Sequence, residues 1–153
     1  MKIKIEVDEN LIEEEILIRC KSFDNQIQKI QEALTEATKK ENQFVFYKGE
    51  TEYYLTLDEI LFFETEKQKI MAHTGDEIYE TKYKLYELEE LLPKYFLRVS
   101  KSTILNVTTV RSIQRNITST SLVTLKNTYK QVFVSRRYYK ELKEKLIEMR
   151  NLL

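Results

Sequence analysis

Phe96-Leu97-Arg98-Val99-Ser100-Lys101-Ser102-Thr103-Ile104-Leu105-Asn106 decides how this chain is read. From Tyr95 to Val99 the side chains alternate well enough, apart from the adjacent Phe96-Leu97, for a half-buried strand. The run closes on Asn106, whose short amide suits a turn, where it satisfies backbone groups. Its only ionised side chains, Arg98 and Lys101, are both cations. The same bias extends outward in both directions. Between Glu90 and Glu141 there is no acidic residue, whereas Lys94, Arg98, Lys101, Arg111, Arg115, Lys126, Lys130, Arg136, Arg137 and Lys140 all fall there.

The whole chain carries 25 basic and 25 acidic residues, so its formal charge of zero conceals a strong polarity. Residues 1–42 hold seven basic and ten acidic side chains, residues 43–93 five and twelve, and residues 94–153 thirteen and three. An acid-free cationic stretch of this length is the footprint a polyanion needs. Its other reading is a solvated basic surface balanced by the acidic half.

Working outward, Val110–Arg115, Leu122–Leu125 and Tyr129–Val134 read as further half-buried strands, with Lys126-Asn127-Thr128 as a hairpin tip. A helix begins near Ser135, which is placed to cap it, and shows Tyr139, Leu142, Leu146, Met149 and Leu153 on one face. Upstream, Leu85, Leu88, Leu91 and Leu92 form the stripe of a short helix that ends against Pro93. Before it lie five short strands, Phe44–Tyr47, Tyr53–Leu57, Ile60–Glu64, Lys69–His73 and Glu77–Thr81, with turn signals at Lys48-Gly49 and Thr74-Gly75-Asp76. The first 42 residues are different. Met1–Val7 and Glu15–Lys21 read as two strands, followed by a helix from Asp24 with Ile27, Ile30, Leu34 and Ala37 on one face, dissolving into Lys39-Lys40-Glu41-Asn42. The fold class is therefore mostly β (α+β): a β-β-α extension over 1–42, and a β domain with a helical insert and a C-terminal helix over 43–153. Forty residues are few for an independent core, so the extension is expected to pack on the rest of the chain or on another copy.

The composition excludes several classes. With 42% apolar and 33% charged residues, two glycines and one proline, the chain is globular rather than disordered or fibrous. Apolar runs such as Ile60–Phe63 are too short to cross a bilayer and no signal peptide is apparent, which places the protein in the cytoplasm. Cys20 has no partner for a disulfide and, beside Ile16-Leu17-Ile18, reads as a buried structural thiol. His73 is the only histidine and reads as satisfied or solvated. No phosphate-binding glycine loop, metal-ligand cluster or nucleophile–base pair is present, so no catalytic residue, metal, cofactor or small-molecule substrate is expected. Glu87, Glu89 and Glu90 read as a solvated helix face.

Four fragments together carry a family resemblance: Ile60-Leu61-Phe62-Phe63-Glu64-Thr65, Leu85-Tyr86-Glu87-Leu88-Glu89, Phe96 to Asn106, and Val134-Ser135-Arg136-Arg137-Tyr138. In this order and spacing the chain resembles the LytTR DNA-binding domain across about residues 43–150. The resemblance implies an elongated β domain of small stacked sheets that binds double-stranded DNA through loops instead of a recognition helix. It implies base contacts from Lys67 or Lys69 in the loop after Thr65, from Lys101, and from Arg137, whose guanidinium suits bidentate reading of guanine. Lys101 can donate to guanine but cannot make the paired amide contact with adenine that an asparagine there would offer. Arg98, Ser102 and Arg136, with Arg111, Arg115 and Lys140 on the same basic stretch, are the phosphate-contact candidates. Many family members carry a receiver domain, for which residues 1–42 have no room. The resemblance is thus to regulators without one, which implies direct-repeat half-sites, a homodimer on DNA, and control by a membrane-bound inhibitor protein. The other function considered is an RNA or single-stranded nucleic-acid binding module, for which ten tyrosines would offer stacking, although most sit where packing explains them.

Overall fold

The computed structural model describes residues 1–12, 14–38 and 44–151. It divides into two compact units, Met1–Lys40 and Glu41–Leu153.

In the first unit, α1 (Asn25–Thr38) starts where Asp24 accepts a hydrogen bond from the Ile27 N–H at 2.9 Å, satisfying one of the orphan donors of the first turn. The helix ends within the described residues at Thr38, so the expected run-out over 39–42 lies outside them. The two strands expected before it are not formed: neither Met1–Val7 nor Glu15–Lys21 belongs to a ladder. Alternation creates only the capacity to pair, and no second strand stands beside either run. Ile3, Ile5 and Val7 accordingly remain 90%, 84% and 88% exposed. Cys20, expected to be buried in the second strand, is exposed for the same reason.

In the second unit, ten strands form two antiparallel sheets. The larger contains β1 (Phe46–Lys48), β2 (Thr51–Tyr53), β3 (Phe62–Glu66), β4 (Lys69–His73), β5 (Ile78–Thr81), β6 (Phe96–Ser100) and β7 (Thr103–Asn106), in the order β2-β1-β5-β4-β3-β7-β6. The smaller contains β8 (Val110–Gln114), β9 (Ser121–Leu125) and β10 (Gln131–Val134), in the order β10-β9-β8. α2 (Leu85–Leu91) precedes β6, and α3 (Arg136–Asn151) follows β10. The strand expected over Tyr53–Leu57 lies instead at Thr51–Tyr53, with Leu57–Glu59 forming a 3-10 turn, and β7 is a strand the sequence did not reveal. All four of its residues are buried, so it lacks the alternation that marks a half-exposed strand.

The larger sheet is buried on both faces where β3 pairs with β7, and period-2 geometry sorts adjacent residues there between two cores. Phe63 and Ile104, paired across β3 and β7, join Phe46, Ile60, Phe96 and the α2 residues Leu85 and Leu88 on one side. Phe62 and Leu105, the neighbouring pair, join Val99, Val123, Val132, Val134 and Leu142 between the two sheets and α3. Leu91, expected on the apolar stripe of α2, is 39% exposed. The expected face of α3 is present, with Leu142 fully buried and Tyr139, Leu146 and Met149 packed around it, while Leu153 lies outside the described residues. Asn106 is wholly buried and serves the turn as expected: its amide donates to the Ile60 carbonyl at 2.9 Å and its side-chain oxygen accepts from the Thr108 N–H at 3.1 Å.

A polar staple ties the sheets at the opposite end of β4. Thr128 donates to the Gly75 carbonyl at 3.0 Å, and the Lys130 ammonium donates to the Glu77 carbonyl at 3.1 Å while lying 3.4 Å from His73 Nδ1. An ammonium can only donate, so Nδ1 is the acceptor and the imidazole proton sits on Nε2, which faces the Glu64 carboxylate at 3.7 Å. The ring stacks on Phe62 at 4.2 Å between centroids.

Two measurements check this account. Phe63→Ala, which empties a fully buried position, is expected to lower unfolding stability by about 3–5 kcal/mol in a urea titration. Burial, with the Lys130 charge adding to it, pushes the His73 imidazole from 6.5 down to about 4. Between those values the unfolded chain binds a proton that the folded chain refuses, so stability falls as pH is lowered through that window. Glu64, held above the usual carboxylate range by burial and by Glu66, contributes the opposite slope at the acid end. The urea midpoint of His73→Gln should therefore depend less steeply on pH between 6.5 and 4 than that of the parent; parallel curves would show that His73 is not the titrating group.

Candidate nucleic-acid interface

Three chain reversals meet along one edge of the second unit. The first is the two-residue turn Lys67-Gln68 between β3 and β4, where Glu66 pairs with Lys69. Both turn residues have positive φ, 48° and 66°, the geometry whose twist matches antiparallel strands and which asparagine and glycine usually supply. The second is Lys101-Ser102 between β6 and β7, just beyond a register shift that leaves Val99 without a cross-strand partner. The third is the passage from β10 into α3 at Ser135. Two backbone hydrogen bonds join them: Thr65 N–H to the Ser102 carbonyl at 2.8 Å, and Ser135 N–H to the Val99 carbonyl at 2.9 Å. The edge is therefore as rigid as the sheet that ends in it. A cavity of about 320 Å³ opens between the second and third reversals, lined among others by Glu64, Ser100, Ser102, Gln131, Phe133 and Ser135.

Each expected site residue has a distinct position. Lys67 stands exposed at the first tip, whereas Lys69, one step into β4, is 3.5 Å from the Glu80 carboxylate. Lys101 and Ser102 are exposed at the second. Arg136 and Arg137 are exposed at the start of α3, and the Arg137 guanidinium lies 5.7 Å from the ring centroid of Tyr138. Lys140 shares the Arg136 face of α3 and is 4.0 Å from Glu144, both side chains largely in solvent. On the smaller sheet Arg111 is the residue skipped by the register shift of β8, and Arg115 lies over the Tyr139 ring at 4.8 Å.

Arg98 has a different disposition from the one expected of a phosphate contact. Its guanidinium donates to the Ser100 carbonyl at 2.7 Å, to the Lys101 carbonyl and to the Glu89 carboxylate at 2.9 Å. The fork braces the second turn from behind and ties it to α2. Ser135 also departs from expectation. Its carbonyl accepts the Tyr138 N–H at 3.0 Å, and its hydroxyl makes no capping bond among the described residues. Gln68 was not singled out by sequence reasoning, yet it shares the first tip with Lys67 and is exposed. The available signal was its place in the short stretch Thr65–Gln68 between two expected strands, two residues of which β3 takes up.

The second unit is an antiparallel β unit that sets cations and hydroxyls on hydrogen-bonded loops beside a helix start, the polarity of a nucleic-acid-binding surface. Comparison with known proteins identifies its family. The family model of the LytTr DNA-binding domain matches residues 50–147. Among solved structures, the LytTr DNA-binding domain of a Bacillus cereus protein superposes with a TM-score of 0.60 at 27% identity, covering 69% of this chain and 98% of that one. Proteins named as uncharacterized HTH-type transcriptional regulators of Staphylococcus aureus strains NCTC 8325 and MRSA252 are each 27% identical over 146 residues, 95% of this chain and 98% of theirs. The chain belongs to the LytTR DNA-binding domain family, and it is a binding protein rather than an enzyme. Among its described residues no helix is long and apolar enough to cross a membrane.

The position of Arg98 generates a prediction. Arg98→Met should weaken binding to every duplex by loosening the Lys101-Ser102 turn, while the slope of log affinity against log salt stays at the parent value. A flattened slope would instead return Arg98 to the phosphate-contacting set.

Proposed function

We propose that the protein is a transcriptional regulator that recognises specific double-stranded DNA sequences by inserting its loop edge into major grooves. The observation carrying this reading is the pair of backbone hydrogen bonds that binds the Lys67-Gln68 turn, the Lys101-Ser102 turn and the start of α3 into one edge. Arg137 is the principal base reader, with Lys101 and the first tip as the others. Within that tip Lys67 is better placed than Lys69, which Glu80 partly neutralises, and Gln68 adds an amide able to pair with adenine. Arg136, Ser102, Arg111, Arg115 and Lys140 supply phosphate contacts.

The start of α3 supports the same reading. Its first turn contains no acidic residue and carries Arg136 and Arg137, cations at the positive end of the helix dipole, an arrangement that disfavours the isolated helix. A phosphate at that end would offset both the orphan N–H groups and the repulsion. Two copies occupy direct-repeat half-sites on this reading, and the protein works in the cytoplasm under a membrane-bound inhibitor.

Binding to a random duplex library at two salt concentrations, with sequencing of the retained fraction, tests the proposal. A recurring motif is expected. Arg137→Ala should cost about 1–3 kcal/mol on that motif and relax preference at one base pair, whereas Arg136→Ala should weaken all sequences alike and flatten the salt slope. Retention without a motif would overturn sequence-specific recognition and leave only the electrostatic attraction common to any polyanion.

A further inference from the structure

We propose that residues 2–8 form a dimerisation strand, pairing antiparallel with the same residues of a second copy about a two-fold point at Ile5. In Lys2-Ile3-Lys4-Ile5-Glu6-Val7-Asp8 every odd position is β-branched and apolar, and every even position is charged. The even positions run from cations to anions: Lys2 and Lys4, then Glu6 and Asp8. Directly opposite residues in an antiparallel pair face the same side of the ribbon. Pairing about Ile5 sets Ile5 against Ile5, Ile3 against Val7, Lys4 against Glu6 and Lys2 against Asp8. Symmetry makes each unlike-charge pair occur twice.

No other register does as well. Pairing about Lys4 opposes Lys4 to itself, and pairing about Glu6 opposes two carboxylates. A shift by one residue sets apolar side chains against charged ones, and parallel in-register pairing opposes every charge to its like. The sequence of this segment is thus complementary to its own reverse in one alignment, the requirement of a contact between identical surfaces.

The structure shows a segment prepared for such pairing and lacking its partner. The side chains of Ile3, Ile5 and Val7 are almost fully in solvent, and their backbone belongs to no ladder. Lys4 and Glu6 are ion-paired along the same side of the chain, as alternate residues of an extended segment are. Asp8 ends the run, its carboxylate accepting the Asn10 N–H at 2.9 Å and its carbonyl the Leu11 N–H at 3.3 Å. A two-stranded ribbon alone is marginal in water, and its apolar face needs a cover. Ile16, Leu17 and Phe23, 60–69% exposed in the same unit, are available to supply one from each copy.

The inference does not rest on DNA recognition and is tested without DNA, by sedimentation equilibrium of the full chain. The parent should be dimeric. Lys2→Glu with Lys4→Glu, and separately Glu6→Lys with Asp8→Lys, make each segment single-signed and should weaken self-association by roughly tenfold or more. An equimolar mixture of the two variants restores unlike charges at all four crossings and should form a mixed dimer. A monomeric parent would overturn the proposal and leave the segment to a different partner. Variants that each dimerise as tightly as the parent would also overturn it. Affinity of each variant for a duplex with one binding site should match the parent, since residues 2–8 lie outside the second unit; this keeps a failed dimer distinct from a failed DNA-binding site.

Discussion

The pairing of β3 with β7 is the constraint on which the rest of the second unit depends. Phe63 faces Ile104 across this ladder and Phe62 faces Leu105, and the two pairs point into different cores. A slip of one residue would exchange the cores, sending Phe62 toward α2 and Phe63 toward the smaller sheet. Asn106 reinforces the register at the end of β7, where its backbone N–H reaches the Leu61 carbonyl and its side chain the Ile60 carbonyl. The ladder continues past Glu64 and Thr103 into the Thr65–Ser102 hydrogen bond. The register that fills both cores therefore also sets the first two turns of the loop edge side by side, and a slip would displace one against the other by roughly 3.3 Å. Folding and site geometry are consequences of one alignment.

Charge along that edge is divided by function. Arg98, the most enclosed of its cations, spends its guanidinium on two carbonyls and Glu89, so its role is to hold the turn that presents Lys101. A planar fork with several donors suits this task, because it can satisfy two backbone oxygens and a carboxylate at once. The cations that face outward are held loosely by comparison, over aromatic rings in the cases of Arg115 and Arg137, or 4.0 Å from a solvated carboxylate in that of Lys140. Such contacts are worth little in solvent and can be exchanged for phosphate at small cost.

Most strands exposed on one face were legible in the sequence, β2 excepted, and β7, buried on both, was not. Lys69–His73 appears with the expected bounds, and β8, β9 and β10 lie within a residue or two of expectation, because their alternation reports a wet and a dry side. Thr103–Asn106 carries no such report and was visible only as part of a family motif. The alternation of Met1–Val7 was read as a strand, yet no ladder forms there without a second strand, and Cys20 is exposed with the segment it belongs to. For the site, the sequence located the cations but not their partners. That Arg98 points inward follows from a bulge and a turn geometry with no signature in composition.

Two local choices along the edge oppose the intrinsic preferences of the chain. Lys67-Gln68 adopts a left-handed conformation in which each side chain costs roughly 1–2 kcal/mol. α3 opens with two arginines where a carboxylate would stabilise it. Much of the second unit follows ordinary rules: apolar residues line two cores, Pro93 follows a helix, and Glu87 caps the start of α2 by accepting the Lys84 N–H. Two departures joined by the same pair of hydrogen bonds are local costs of the kind found where a surface serves something besides folding. A left-handed tip places Lys67 and Gln68 outermost, and an anion at the start of α3 would relieve its two cations, so both departures fit the polyanionic ligand of the proposed function.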